Sequence, residues 1–165
     1  MTSASPAPLS RWVTVHDLPA DGLDVSVEAT AEERQALARD FGLPAVHSLS
    51  GSFHLSGSQR RVEVTGAIEA EIDQVCVVTL EPFTTRLREE VEADYAAPGT
   101  PAPQGEDAAD EIVGGRIDLG ALTAEFLALG LDPYPRKPGV DFDYQAPEGE
   151  PDTPFAALGK LHGDK

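Results

Sequence analysis

One thiol, four imidazoles and a scatter of carboxylates are the groups in this chain that could do chemistry near neutral pH. Cys76 is the only cysteine. A nucleophilic thiol needs a base or a positive field to lower its pKa. Its neighbours Val75, Val77 and Val78 offer neither, and no histidine stands close in sequence. Cys76 therefore reads as a buried structural thiol, with a small thiol-dependent enzyme as the competing class. His16, His47, His54 and His162 contain no pair four residues apart, and one cysteine cannot complete a zinc knuckle. Glu106-Asp107 and Asp110-Glu111 lack the alternating ligands and glycine of a calcium loop, so they read as solvated loop charges. Gly114-Gly115 is too short to cradle a nucleotide and reads as a bulge. Nothing in the pattern asks for a metal or a cofactor.

The cations are few, so their placement matters. Lys and Arg number 12 against 29 Asp and Glu, a net charge of −17 in 165 residues. A phosphate backbone repels such a surface, whereas a basic protein is attracted to it. Solubility alone is the plainer explanation of the acidity. Arg60 and Arg61 open one strand, Arg86 and Arg88 share a face of another, and Arg136-Lys137 lie in a proline-rich stretch. If they converge, they make a local RNA-facing patch on an acidic body. Otherwise they are solvated charges paired across strands with Glu63, Glu69 or Glu90, the more ordinary arrangement. Tyr134 to Pro138 joins an aromatic, two cations and rigid prolines, suited either to contacts or to a stiff tail over the core.

The elements that must position these groups follow from periodicity. Residues 1–9 are rich in Pro, Ala and Ser and predict a disordered N-terminus. Arg11 to His16 alternates, with Val13 and Val15 on one face, and Leu23 to Val27 alternates after a turn. Thr30 and Glu33 form a capping-box pattern opening a short helix that carries Leu37 and Phe41, stopped by Gly42 and Pro44. Val46 to Leu55 predicts a strand. Arg61 to Asp73 is the clearest strand, with Val62, Val64, Ile68, Ala70 and Ile72 on one face and Gly66 as a candidate bulge. Val75 to Leu80 is apolar on both faces and predicts a buried strand, broken at Glu81-Pro82. Alternation resumes from Phe83 to Tyr95. Residues 96–110 predict a mobile loop, and Glu111 to Ile117 a short strand. Asp118 is a good N-cap for a buried helix built on Leu119, Leu122, Phe126 and Leu129. Residues 132–154 are a Pro-rich segment containing Phe142 and Tyr144, and Pro154 can open a last helix to Leu161. The pattern as a whole is α+β: a mostly antiparallel, twisted sheet curling toward a barrel, covered by two main helices and a short C-terminal helix. Residues 10–162 read as a single domain.

The first residues have neither a basic start nor an apolar core, and no apolar run approaches the roughly 20 residues that span a bilayer. With a single cysteine, no intramolecular disulfide can form, which fits a reducing cytoplasm. Three stretches in order carry a resemblance: Cys76 with Leu80, Glu81, Pro82 and Phe83; Ile117 to Leu129; and Thr153 to Leu161. Together they resemble the YceD family, the large ribosomal RNA subunit accumulation proteins. Arg11 to Val15 and Pro135 to Pro138 are similar to the alphaproteobacterial type. The resemblance implies a non-enzymatic factor in accumulation or processing of large-subunit (23S) ribosomal RNA. Taken with the charge of −17, it points to a partner that is a basic ribosomal protein or a large-subunit precursor. Arg86, Arg88, Arg136 and Lys137 are the candidate contacts to RNA or to the partner, and direct RNA binding, centred on Arg86 and Arg88, is the third class. Many relatives carry C-x-x-C where this chain has Cys76 and Thr79, so metal binding does not carry over.

Overall fold

The computed structural model describes residues 8–101 and 109–141. Five strands form one sheet in the order β2-β3-β4-β5-β6: β2 (Leu23–Glu28), β3 (Ala45–Ser58), β4 (Arg61–Val75), β5 (Pro82–Ala96) and β6 (Asp110–Glu111). All neighbours are antiparallel except β5 and β6, which are parallel. A separate two-stranded ribbon pairs β1 (Trp12–Thr14) with β7 (Arg116–Asp118). Helix α1 (Ala31–Phe41) packs on β3, and α2 (Leu119–Gly130) on β4 and β5. The architecture is α+β and sheet-dominated. The predicted curl toward a barrel does not close, because β2 and β6 remain edges.

Period-two alternation places the core. Val62, Val64, Ile68, Ala70 and Ile72 of β4 are buried against Leu49, Phe53 and Leu55 of β3 and Leu119, Leu122 and Leu127 of α2. The opposite face carries Ser50 and Ser52, Glu63 and Glu69, Arg86 and Arg88, and is wet. The long hairpins succeed because each strand can bury one face and solvate the other.

Both main helices begin as their caps dictate. Thr30 accepts the Glu33 amide at 3.3 Å while Glu33 accepts the Thr30 amide at 2.8 Å. Arg11 grips the same carboxylate with both terminal nitrogens, at 2.8 and 2.9 Å, and this contact chiefly holds Glu33 down to about 2. Asp118 caps α2 by accepting from Gly120 and Ala121, and also accepts the Arg11 amide and the Ser10 hydroxyl at 2.7 Å.

Several expectations are corrected. Arg11 to His16 is not one strand: β1 ends at Thr14, and Val15–Asp17 turn into a 3-10 helix that buries Val15. Gly66 is no bulge. It stays in register opposite Phe53, where a Cβ would sit 2.0 Å from the Ser52 carbonyl oxygen, so its lack of a side chain permits close approach. The irregularity in that pairing falls between Val46 and Ser48 instead. Gly114-Gly115 is not a bulge but a turn, both residues at positive φ (58° and 72°), joining Val113 to Arg116. That turn divides the single strand expected over Glu111–Ile117. In α2, Leu127 is buried and Leu129 is 70% exposed, a shift in the core-facing stripe. Val75 to Leu80 is not a buried strand: β4 ends at Val75 and the chain turns. The predicted C-terminal helix, Phe142, Tyr144, His162, Glu106-Asp107 and the middle of the 96–110 loop lie outside the described residues.

Candidate functional site

The turn from Cys76 to Glu81 joins β4 to β5 and gathers most of the singled-out residues. The Cys76 amide donates to the Glu81 carbonyl, and the Leu80 amide to the Cys76 carbonyl, both at 2.9 Å. Leu80 adopts a left-handed φ of 60°. Pro82 opens β5 opposite Val75, and Phe83 stands half-buried opposite Gln74. A proline suits the start of a strand because it has no amide to place in the ladder.

The segment 132–140 clasps this turn. The Val77 amide donates to the Pro135 carbonyl at 2.9 Å, and the Lys137 amide to Cys76 Sγ at 3.4 Å. Lys137 Nζ reaches Glu81 Oε2 at 3.3 Å, and the buried Gln74 donates to the Asp132 carbonyl at 3.2 Å. The Tyr134 amide donates to Asp132 Oδ1 at 2.9 Å, closing a local turn. Thus Cys76, Glu81 and Lys137 are brought together, while Arg136 stays exposed without an ion pair among the described residues. The clasp leaves an apolar tip in water: Leu80 is 76% exposed and Tyr134 73%.

Cys76 is buried, as the sequence implied, but in a turn of amides rather than among strand valines. The Lys137 amide first, then the Thr79 hydroxyl and amide, hold its thiol down to about 6. Hydrogen bonds to the charged form favour the thiolate. Lys137, the larger of these influences, carries no sequence signal that marks it as a thiol partner. The six residues between two alternating strands were the available signal for a hairpin turn, masked by their apolar character.

From the tip, the wet sheet face carries the second set of candidates. Arg86 Nε meets Glu71 Oε2 at 2.6 Å, and Arg88 pairs with Glu69. Both arginines are exposed, so each pair is worth at most about 1 kcal/mol. They line a shallow depression of about 380 Å³ with Ser48 and Ser50. Thr84 at 2.7 Å, more than His47 at 2.9 Å, lowers the pKa of Asp73 beside them. Arg60 and Arg61 do not join: they sit at the β3–β4 turn, with Arg61 3.9 Å from Asp94. At about 3.3 Å per residue, Arg61 stands roughly 33 Å from Glu71 along β4. The cations therefore divide into a tip group and a far group, with Glu69 and Glu71 offsetting the two arginines between.

Among the described residues no cluster of three or more His, Cys, Asp and Glu side chains could hold a metal ion. No helix among them is long and apolar enough to cross a membrane.

Fold and site define a small, sheet-dominated α+β domain whose long hairpin ends in a turn clasped by a proline-rich segment. The family model described as "Large ribosomal RNA subunit accumulation protein YceD" matches residues 64–162, and the chain belongs to that family. The match spans the Cys76–Phe83 turn, α2 and the segment 132–140. No curated protein and no solved structure matches the chain.

Proposed function

We propose that this protein is a non-enzymatic ribosome-biogenesis factor that supports accumulation or processing of large-subunit (23S) ribosomal RNA by binding a basic ribosomal protein or an assembly intermediate. The family match over residues 64–162 carries the reading. Charge supports the protein partner over RNA: the chain is at −17, and Arg86 and Arg88 are already matched by Glu71 and Glu69. Tight RNA binding ordinarily needs a basic field. The proposed place of action is the cytoplasm, where Cys76 stays reduced.

The test is a tagged pulldown at moderate salt, probed for precursor large-subunit RNA and ribosomal proteins, with RNase in parallel. Basic ribosomal proteins retained after RNase are the expected result. Loss of all ribosomal material on RNase treatment would transfer the function to RNA contact, and recovery of none at all would overturn the reading.

A further inference from the structure

Among the described residues, most of β5 has an open edge. On one side β5 pairs with β4 without a break, from Val75 opposite Pro82 to Arg61 opposite Ala96. On the other side the described residues supply only β6, which reaches Tyr95 and Ala96. From Pro82 to Asp94 the outward backbone groups have no strand partner among the described residues. Proteins ordinarily shorten, bulge or cover such an edge, because a row of unpaired amides and carbonyls is a template for another strand. β5 is 15 residues long and regular throughout.

The side chains beside the edge select the occupant. Toward the tip, Arg86 and Arg88 are matched by carboxylates of β4. Toward the other end, Glu90 and Glu92 make no ion pair among the described residues, and Glu63 lies directly opposite Asp94, which Arg61 approaches only to 3.9 Å. Like charges facing each other across a ladder destabilise it. Cations on an added strand would relieve that repulsion and be steered in by the net charge of −17.

We propose that the open edge of β5 receives an extended Lys- or Arg-rich segment of a partner protein as an additional strand, its cations facing Glu90, Glu92 and Asp94. Main-chain pairing supplies the affinity of strand addition, and the acidic row supplies the selectivity. The proposal rests on the protein-binding reading above and names its surface.

The test uses the full chain and a fluorescent peptide of about twelve residues alternating Lys and Thr, a length matching the open edge. Two peptides accompany it: one N-methylated at alternate residues, which cannot pair, and one with Glu for Lys. Binding of the lysine peptide is expected, weakened about tenfold or more by N-methylation and by the surface double variant Glu90→Lys/Glu92→Lys. The peptide should also slow hydrogen exchange of the amides between Phe83 and Ala93. Equal binding of the N-methylated peptide, or by the double variant, would overturn the proposal. So would edge amides already protected without peptide, since the chain itself would then cover the edge. The double variant in the pulldown separates the two failures. If it captures large-subunit material as well as the unaltered protein does, the edge is wrong and the function stands. If the unaltered protein captures none, the function fails first.

Discussion

Cys76 and Leu80 bracket one turn and hold opposite kinds of unusual state. The Cys76 thiol lies near 6 instead of 9.0 because backbone amides and the Thr79 hydroxyl favour its thiolate. Its folded pKa is depressed, so its contribution to stability is full above about 9, shrinks as pH falls, and is gone below about 6. The stability difference between the wild type and Cys76→Ala should therefore widen from pH 6 to pH 9, read by urea unfolding at each pH. A flat difference would remove the thiolate from the account. Because Sγ is buried, alkylation of the native protein should be slow until denaturant is added, even though the thiolate forms. Fast native labelling at neutral pH would revive thiol chemistry. Leu80 sits at φ 60° with 76% of its surface exposed, so burial does not offset its strain. Leu80→Gly should leave the fold as stable or up to about 1 kcal/mol more stable. If the leucine is kept for contact, the same variant should capture less large-subunit material in the pulldown; a loss of stability would show that the exposed leucine supports the fold.

At the scale of elements, two joints bear the sheet and its helices. Asp118 ends β7, caps α2 and holds Ser10 and Arg11 of the N-terminal segment, all with one carboxylate. A lost cap alone costs about 1 kcal/mol, and the further hydrogen bonds should bring Asp118→Ala to about 2 kcal/mol or more by chemical denaturation. Gly66 is the second joint. Gly66→Ala would press a methyl onto the backbone of β3 at Ser52 and Phe53, for a loss of about 1–3 kcal/mol. A smaller loss would mean that the β3–β4 pair can separate locally. The capping of both helices is legible in the sequence, because Thr30, Glu33 and Asp118 act on amides within three residues of themselves. The Cys76–Glu81 turn is not. Val75, Val77, Val78 and Leu80 are apolar enough to read as a buried strand, and only the antiparallel return of β5 shows that they are a hairpin's end.

At the scale of the whole molecule, a charge of −17 sets the terms of association. Capture of basic partners should weaken as salt shortens the screening length from about 10 Å at 0.1 M toward about 3 Å at 1 M. Salt-independent capture would assign the contact to the apolar tip of Leu80 and Tyr134. Sequence alone determined the class of the fold, the core faces of β3 and β4, the helix starts and the family, because each rests on local periodicity or on residues near one another in the chain. Only tertiary structure decided that Lys137 meets Cys76, that Arg60 and Arg61 stay apart from Arg86 and Arg88, and that β6 covers only the end of β5, leaving the rest of that edge open among the described residues. A backbone amide bonded to a thiol 61 residues away leaves no mark in residue type. An unpaired edge is likewise a property of strand order, and the alternation of a strand looks the same with one neighbour or two.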